Sequence, residues 1–192
     1  MARWEPGASD RLQRAAMELF AEDGFEATTV AGIAGRAGVT ERTFFRHFAD
    51  KREVLFAGEE RLEAVFVDAI ADAPPDAAVA GLLVAALDAG GRVLQDARGR
   101  EFARVRNGII TANEQLLERE LLKLAKLSHA VTAALVARGV GQMDAGLAGE
   151  LGVLVFKTAF TRWIAPDETR DLLELQREGL AAIGDLTRAG TA

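Results

Sequence analysis

Between Leu12 and Leu55 the apolar residues recur at three- and four-residue spacing, but only in bursts of about two turns, each closed by a turn former. Helices that short do not hold alone in water, so the stretch must be several small helices packed on one another. In the first burst, Leu12, Ala16, Leu19 and Phe20 line one face, with Ser9 suited to cap the start and Asp23-Gly24 to end it. After Thr28 and Thr29, Val30, Ile33, Ala34 and Ala37 form a second stripe that stops at Gly38. Gly32 and Gly35 each weaken that helix by about 1 kcal/mol relative to alanine, so it leans on its neighbours. Thr40 is placed to cap a third helix from Glu41 to Phe48. A fourth opens at Asp50, with Glu53 three residues on in a capping-box arrangement, and its pattern runs through Leu55, Leu62, Phe66, Ala69 and Ile70 to Pro74-Pro75.

Past the prolines the same period predicts five more helices, over 76–89, 99–112, 114–138, 144–164 and 168–188, with Gly90-Gly91 read as punctuation between the first two. No strand pattern competes. The expected fold class is all-α, about nine helices: an N-terminal three-helix domain joined by a fourth helix to a C-terminal helical bundle, divided as 1–56 and 57–192. Composition narrows the function. The absence of cysteine excludes disulfides, thiolate catalysis and cysteine-ligated metals, and two scattered histidines with no tyrosine leave no acid–base or nucleophile cluster. The expectation is therefore no enzyme, no metal site and no cofactor. No apolar run nears the roughly 18 residues that span a bilayer. Met1 leads into Arg3, Trp4 and Glu5 without the apolar stretch of a signal peptide, so no membrane association and a cytoplasmic location are expected.

A formal net charge of -6 excludes a chain coated in basic surface, so any nucleic-acid site must be local. Between Arg36 and Arg52 the sign reverses: Arg36, Arg42, Arg46, Lys51 and Arg52 face only Glu41 and Asp50. On a helical wheel of about 100 degrees per residue, Phe44 and Phe48 share one side of the third helix while Arg42, Thr43 and Arg46 lie opposite, with Glu41, Phe45 and His47 on the flanks. Such a helix can pack on one face and read a major groove with the other, arginine donating two bonds to guanine and glutamate accepting from cytosine. Arg42 and Glu41 are the candidate base readers. Thr29 and Lys51, at the starts of the second and fourth helices, are suited to phosphate. Thr29 and Thr40 fit helix capping equally well, and Arg46 fits an intramolecular ion pair.

The fragments Thr-Thr-Val-Ala-Gly-Ile-Ala (28–34), Ala-Gly-Val-Thr (37–40), Thr-Phe-Phe-Arg-His-Phe (43–48) and Asp-Lys-Arg-Glu-Val-Leu (50–55), after Leu-Phe-Ala-Glu-Asp-Gly-Phe (19–25), together closely resemble the TetR family of repressors over residues 9–56. The resemblance implies a TetR-like homodimer that pairs its last two helices, binds a double-stranded DNA operator, and releases it when a small-molecule effector enters the C-terminal domain. Carried over by position, His47 and Lys51 match the family pattern, whereas Phe45 stands where the family usually has tyrosine, which puts one phosphate bond in doubt.

Elsewhere the pattern suggests surfaces without naming chemistry. Apolar residues surround the helix over 144–164, so it needs burial on more than one face. A two-fold interface built from Leu147, Leu151, Leu154, Val155, Leu172, Leu175, Gly179, Leu180 and Ile183 satisfies both. Phe102, Ile109, Ile110, Leu117, Leu121 and Phe160 are candidates to line an apolar, unidentified effector's pocket, with Arg106 and Asn113 to orient it, although a stripe at this spacing is more often plain core. His129 fits a satisfied or exposed histidine, and Arg3 a tail or a minor-groove arm. The rivals are a helical scaffold that binds protein partners and, with less support, a helical enzyme.

Overall fold

A computed structural model describes residues 7–188, apart from the side chains of 97, 98 and 187, so Arg3 lies outside the described residues. These residues form helices joined by short turns, with no strand among them: α1 (Ala8–Glu22), α2 (Val30–Arg36), α3 (Glu41–His47), α4 (Lys51–Phe56), α5 (Glu59–Ala71), α6 (Val79–Thr111), α7 (Glu114–Ala137), α8 (Gln142–Trp163) and α9 (Leu172–Arg188). The all-α expectation holds, and the chain divides into two compact units. One comprises the described residues up to Gly58 together with Val105–Glu120; the other comprises Glu59–Arg104 and the described residues from Leu121 onward.

In the first unit Leu12, Ala16, Phe20, Ile33 and Phe44 are buried together with Val54, Leu55 and Phe56, so each short helix spends its apolar stripe on the others. The start of α1 differs from the expectation: Gly7 is the cap and Ser9 sits inside the first turn. The fourth predicted helix is two helices, parted at Gly58, whose φ of 93° suits a residue without Cβ.

The second unit corrects the reading of Gly90-Gly91. Helix α6 runs straight through the pair, because the glycines are a packing notch: a Cβ at Gly90 would overlap the Phe66 ring, and one at Gly91 would come within 2.8 Å of Gln176 Oε1. The backbone leaves the helical region instead at Gly99, with φ 77° and ψ 176°. Helices α8 and α9 pack closely, with Gly179 set against Val155, and the core here gathers Phe66, Ile70, Leu82, Leu87, Leu135 and Phe156. Arg138 donates to the carbonyls of Ala71, Ala73 and Pro74, and Arg100 to those of Glu168 and Arg170, so two turns are stapled by guanidinium groups. Glu168 is held well below the usual carboxylate range by the Arg170 side chain and backbone N–H bonds. No helix among the described residues is long and apolar enough to cross a membrane.

Candidate nucleic-acid interface

Helix α3 carries its two faces as its period requires. Phe44 is fully buried and Phe48 nearly so, their rings 5.6 Å apart, while Glu41, Arg42, Phe45, Arg46 and His47 are exposed and Thr43 is half-buried. Phe45 is 56% exposed and stands edge-on to Phe44, at 5.5 Å between centroids, so its ring projects outward from an anchored neighbour. The helix is fixed at its start by Thr40, whose Oγ1 accepts from the Thr43 N–H at 3.2 Å. Thr29 does the same for α2, accepting from Gly32 N–H at 3.1 Å. Both threonines are therefore caps, and both remain exposed beside the reading face.

The charges around α3 separate into two groups. Arg36 is taken by Glu18 and by Glu22, which it meets at 2.8 Å and whose carboxyl it pulls below its ordinary value. Arg52 is taken by Asp50 at 2.5 Å. Lys51 turns inward: its Nζ donates to the carbonyls of Phe25, Glu26 and Thr28 at 2.7, 3.0 and 3.0 Å, and lies 4.5 Å from the Phe25 ring centroid. An ammonium has three N–H donors, and all three are used within the protein. Arg42 and Arg46, by contrast, make no ion pair or hydrogen bond within the described structure, and neither does the Glu41 carboxylate. The local cationic excess visible in sequence thus resolves into two uncommitted guanidinium groups on the exposed side of one helix.

Helix α4 is held from behind. Asp50 Oδ1 accepts from the Arg52 and Glu53 N–H groups at 2.8 and 3.2 Å, and the Arg52 side chain lowers the Asp50 pKa. The other half of the expected capping box does not form, because the Glu53 carboxylate pairs with Arg119 at 2.5 Å. Arg119 lies over the Phe56 ring at 4.4 Å and Arg106 over the same ring at 5.3 Å. Arg106 also donates to Leu55 O at 2.7 Å and pairs with Glu120 at 2.9 Å. Arg106, expected to orient an effector, is spent as a strut between α4 and residues 105–120.

The remaining pocket candidates do not gather around one cavity within either unit. In the first, Ile109 and Asn113 line an open cleft, Ile110 is buried, and Leu117 is exposed. In the second, Phe160 packs beside Trp163, Leu121 is half exposed, and Phe102 is partly buried. Of the residues expected at a two-fold interface, Val155, Leu172 and Leu175 are buried inside the protomer, where they hold α9 to α8, so their side chains have no surface to give a partner. Leu151, Gly179, Leu180 and Ile183 are half-buried, while Leu147 and Leu154 are exposed. Sequence reasoning did not name Met143, 79% exposed and one turn before Leu147, or the exposed Leu186. Their signal was the four- and seven-residue spacing of 143, 147 and 154, hidden by apolar residues all around α8.

Residues 12–57 match the family described as bacterial regulatory proteins, tetR family. Over 114 residues, 57% of this chain, the sequence is 39% identical to the HTH-type transcriptional regulator TcmR of Streptomyces glaucescens, and the match spans 47% of that protein's length. The fold is similar to that of a transcriptional regulator from Pseudomonas aeruginosa PAO1, with a TM-score of 0.66, 20% identity, and 96% of this chain and 93% of that one covered. It is also similar to the TetR family transcriptional regulator PfmR of Thermus thermophilus, with a TM-score of 0.53, 26% identity, and coverage of 88% and 94%. A third neighbour is FadR of Bacillus subtilis, solved in complex with stearoyl-CoA, with a TM-score of 0.61, 21% identity, and coverage of 90% and 95%. An exposed, uncommitted cationic face on a capped helix, the matching N-terminal segment and the all-helical fold converge: residues 12–57 carry the DNA-binding helix-turn-helix of the tetR family of bacterial regulatory proteins, and the described residues share the all-helical fold of solved regulators of that family.

Proposed function

We propose that this regulator is a cytoplasmic repressor, binding a near-palindromic operator as a homodimer and leaving it when a small-molecule effector binds. The observation that carries the DNA half is the outer face of α3, where Arg42 and Arg46 remain unpaired in a unit that pairs its other cations near that helix. Arg42 and Glu41 read base edges, with Thr43 and Arg46 beside them; Thr29, Thr40, Phe45 and His47 settle the helix against the backbone. Lys51 acts from within, holding the α1–α2 turn so that α2 and α3 meet the groove in one orientation.

The dimer reading rests on α8. Met143, Leu147 and Leu154 form an exposed apolar stripe with Leu151 beside it, and such a strip is stabilised by burial of about 25 cal/mol for each Å² of apolar surface. Two copies related by a two-fold axis would present two α3 helices to half-sites about one helical turn, roughly 34 Å, apart or a multiple of it. The effector reading is supported by FadR of Bacillus subtilis, a neighbour of similar fold that was solved with stearoyl-CoA bound. Each ligand would act through its differential affinity for the DNA-bound and released states.

Selection of random duplexes on the purified chain, followed by titration of the enriched site across a salt series, tests this directly. A near-palindromic site whose affinity falls steeply with salt is the expected result. Protein that has been refolded without ligand and still enriches no sequence at low salt would overturn the reading in favour of a helical module that binds a protein partner.

A further inference from the structure

The first unit contains an open cleft of about 610 Å³ that the DNA-reading face does not use. Its volume falls in the range of small-molecule sites, about 300–1,000 Å³. One wall comes from the α1–α2 turn and the other from the last turns of α6. The floor is apolar: the Phe20 and Phe25 rings lie 5.1 Å apart, with Ile109 across from them. The mouth is acidic. Asp23 and Glu26 line it, and neither carboxylate has a hydrogen bond or ion pair among the described residues. Asn113 Nδ2 donates to Ile109 O at 2.6 Å, which leaves its Oδ1 free to accept. No cationic side chain lines the cleft; Arg106 is paired with Glu120, and the Lys51 ammonium lies behind the turn, 4.5 Å from the Phe25 ring, where its neutral carbonyl partners leave its charge intact.

Two carboxylates against the single ammonium of Lys51 leave the cleft net negative over its apolar floor, which complements one ligand chemistry, a positive charge on an apolar body. An anion of the same shape would meet like charge on desolvation. The walls are mechanically tied to the reading helices: Lys51 holds the carbonyls of Phe25, Glu26 and Thr28 from the first residue of α4, and Arg106, next to Val105 of the cleft, holds the last turn of α4. We propose that this cleft is a binding site for lipophilic organic cations, and that filling it shifts operator affinity by altering how the α1–α2 turn and α6 hold α4. The second half rests on the regulator reading above; the first does not.

Equilibrium dialysis of the full chain against tetraphenylphosphonium and against tetraphenylborate, its shape-matched anion, tests the site without DNA. The phosphonium is retained at least roughly tenfold more tightly than the borate, and Asp23→Asn with Glu26→Gln removes most of that difference. Both substitutions are isosteric and at exposed positions, and circular dichroism verifies their fold. Ala112→Lys, which sets an ammonium into the cleft, independently abolishes phosphonium binding. Equal retention of the two ions, or undiminished phosphonium binding by these variants, overturns the proposal. With a selected operator in hand, phosphonium shifts the affinity of the unsubstituted chain and not of the double variant; an unshifted affinity overturns the coupling. Failure to select any operator would sink the repressor reading and leave the outcome of the dialysis standing.

Discussion

The two arginines of α3 make separable predictions because no ion pair or hydrogen bond among the described residues holds them. Arg42→Ala is expected to cost about 1–3 kcal/mol of operator binding and to relax discrimination at one base pair, measured by titrating matched and singly mismatched duplexes. A uniform loss across all sequences would instead assign Arg42 to phosphate. Asp50 makes a prediction about stability. Its folded pKa is depressed, so its stabilisation is complete above the ordinary aspartate value of 3.8 and is lost as pH falls through the lower folded value. Thermal melts should therefore drop on acidification below that value, and Asp50→Asn, which keeps a capping oxygen but cannot titrate, should drop less. At this scale the sequence was informative wherever a role depends on helical period, as for Phe44 inside and Arg42 outside. It set Lys51 against phosphate and could not show its inward bonds, because the carbonyls that claim its ammonium lie 23 to 26 residues earlier and only tertiary packing brings them near.

Among the elements, α6 shows how packing overrides local preference. Gly90-Gly91 reads as a break when glycine is judged by its conformational freedom, yet both residues are helical, and they are glycine because Phe66, Leu173 and Gln176 occupy the space that side chains would fill. Helix propensity alone predicts that Gly90→Ala stabilises by about 1 kcal/mol, whereas the steric overlap predicts destabilisation of about 1–3 kcal/mol. Denaturant titration decides by sign, and pairing the substitution with Phe66→Ala should recover part of the loss if the ring is its cause. The break at Gly58 was missed for a related reason. The apolar period continues from Leu55 to Leu62 across it, and one residue at positive φ leaves no mark on that period.

For the whole molecule, the helical class was legible because each amphipathic stripe must find a core, whereas the count agrees only because one expected helix is two, α4 and α5, and two expected helices are joined in α6; the family resemblance was carried by ordered fragments within residues 9–56. Which face of α8 turns inward was not legible. Its apolar residues surround the helix, and only the structure shows small residues such as Ala145, Gly149 and Gly152 packed inward while Met143, Leu147 and Leu154 face out. Replacing Leu147 and Leu154 together with glutamate should give a monomer in sedimentation at micromolar concentration, with the stability of each protomer changed by no more than about 0.5 kcal/mol per site. A double variant that still sediments as a dimer would move the interface to another face. The inward turn of Lys51 has a practical consequence as well. The chain has four lysines, and the other three, Lys123, Lys126 and Lys157, all belong to the second unit. The reading unit therefore offers no free side-chain amine, so a dye or tether attached through lysine chemistry should settle on the second unit and leave α3 unlabelled.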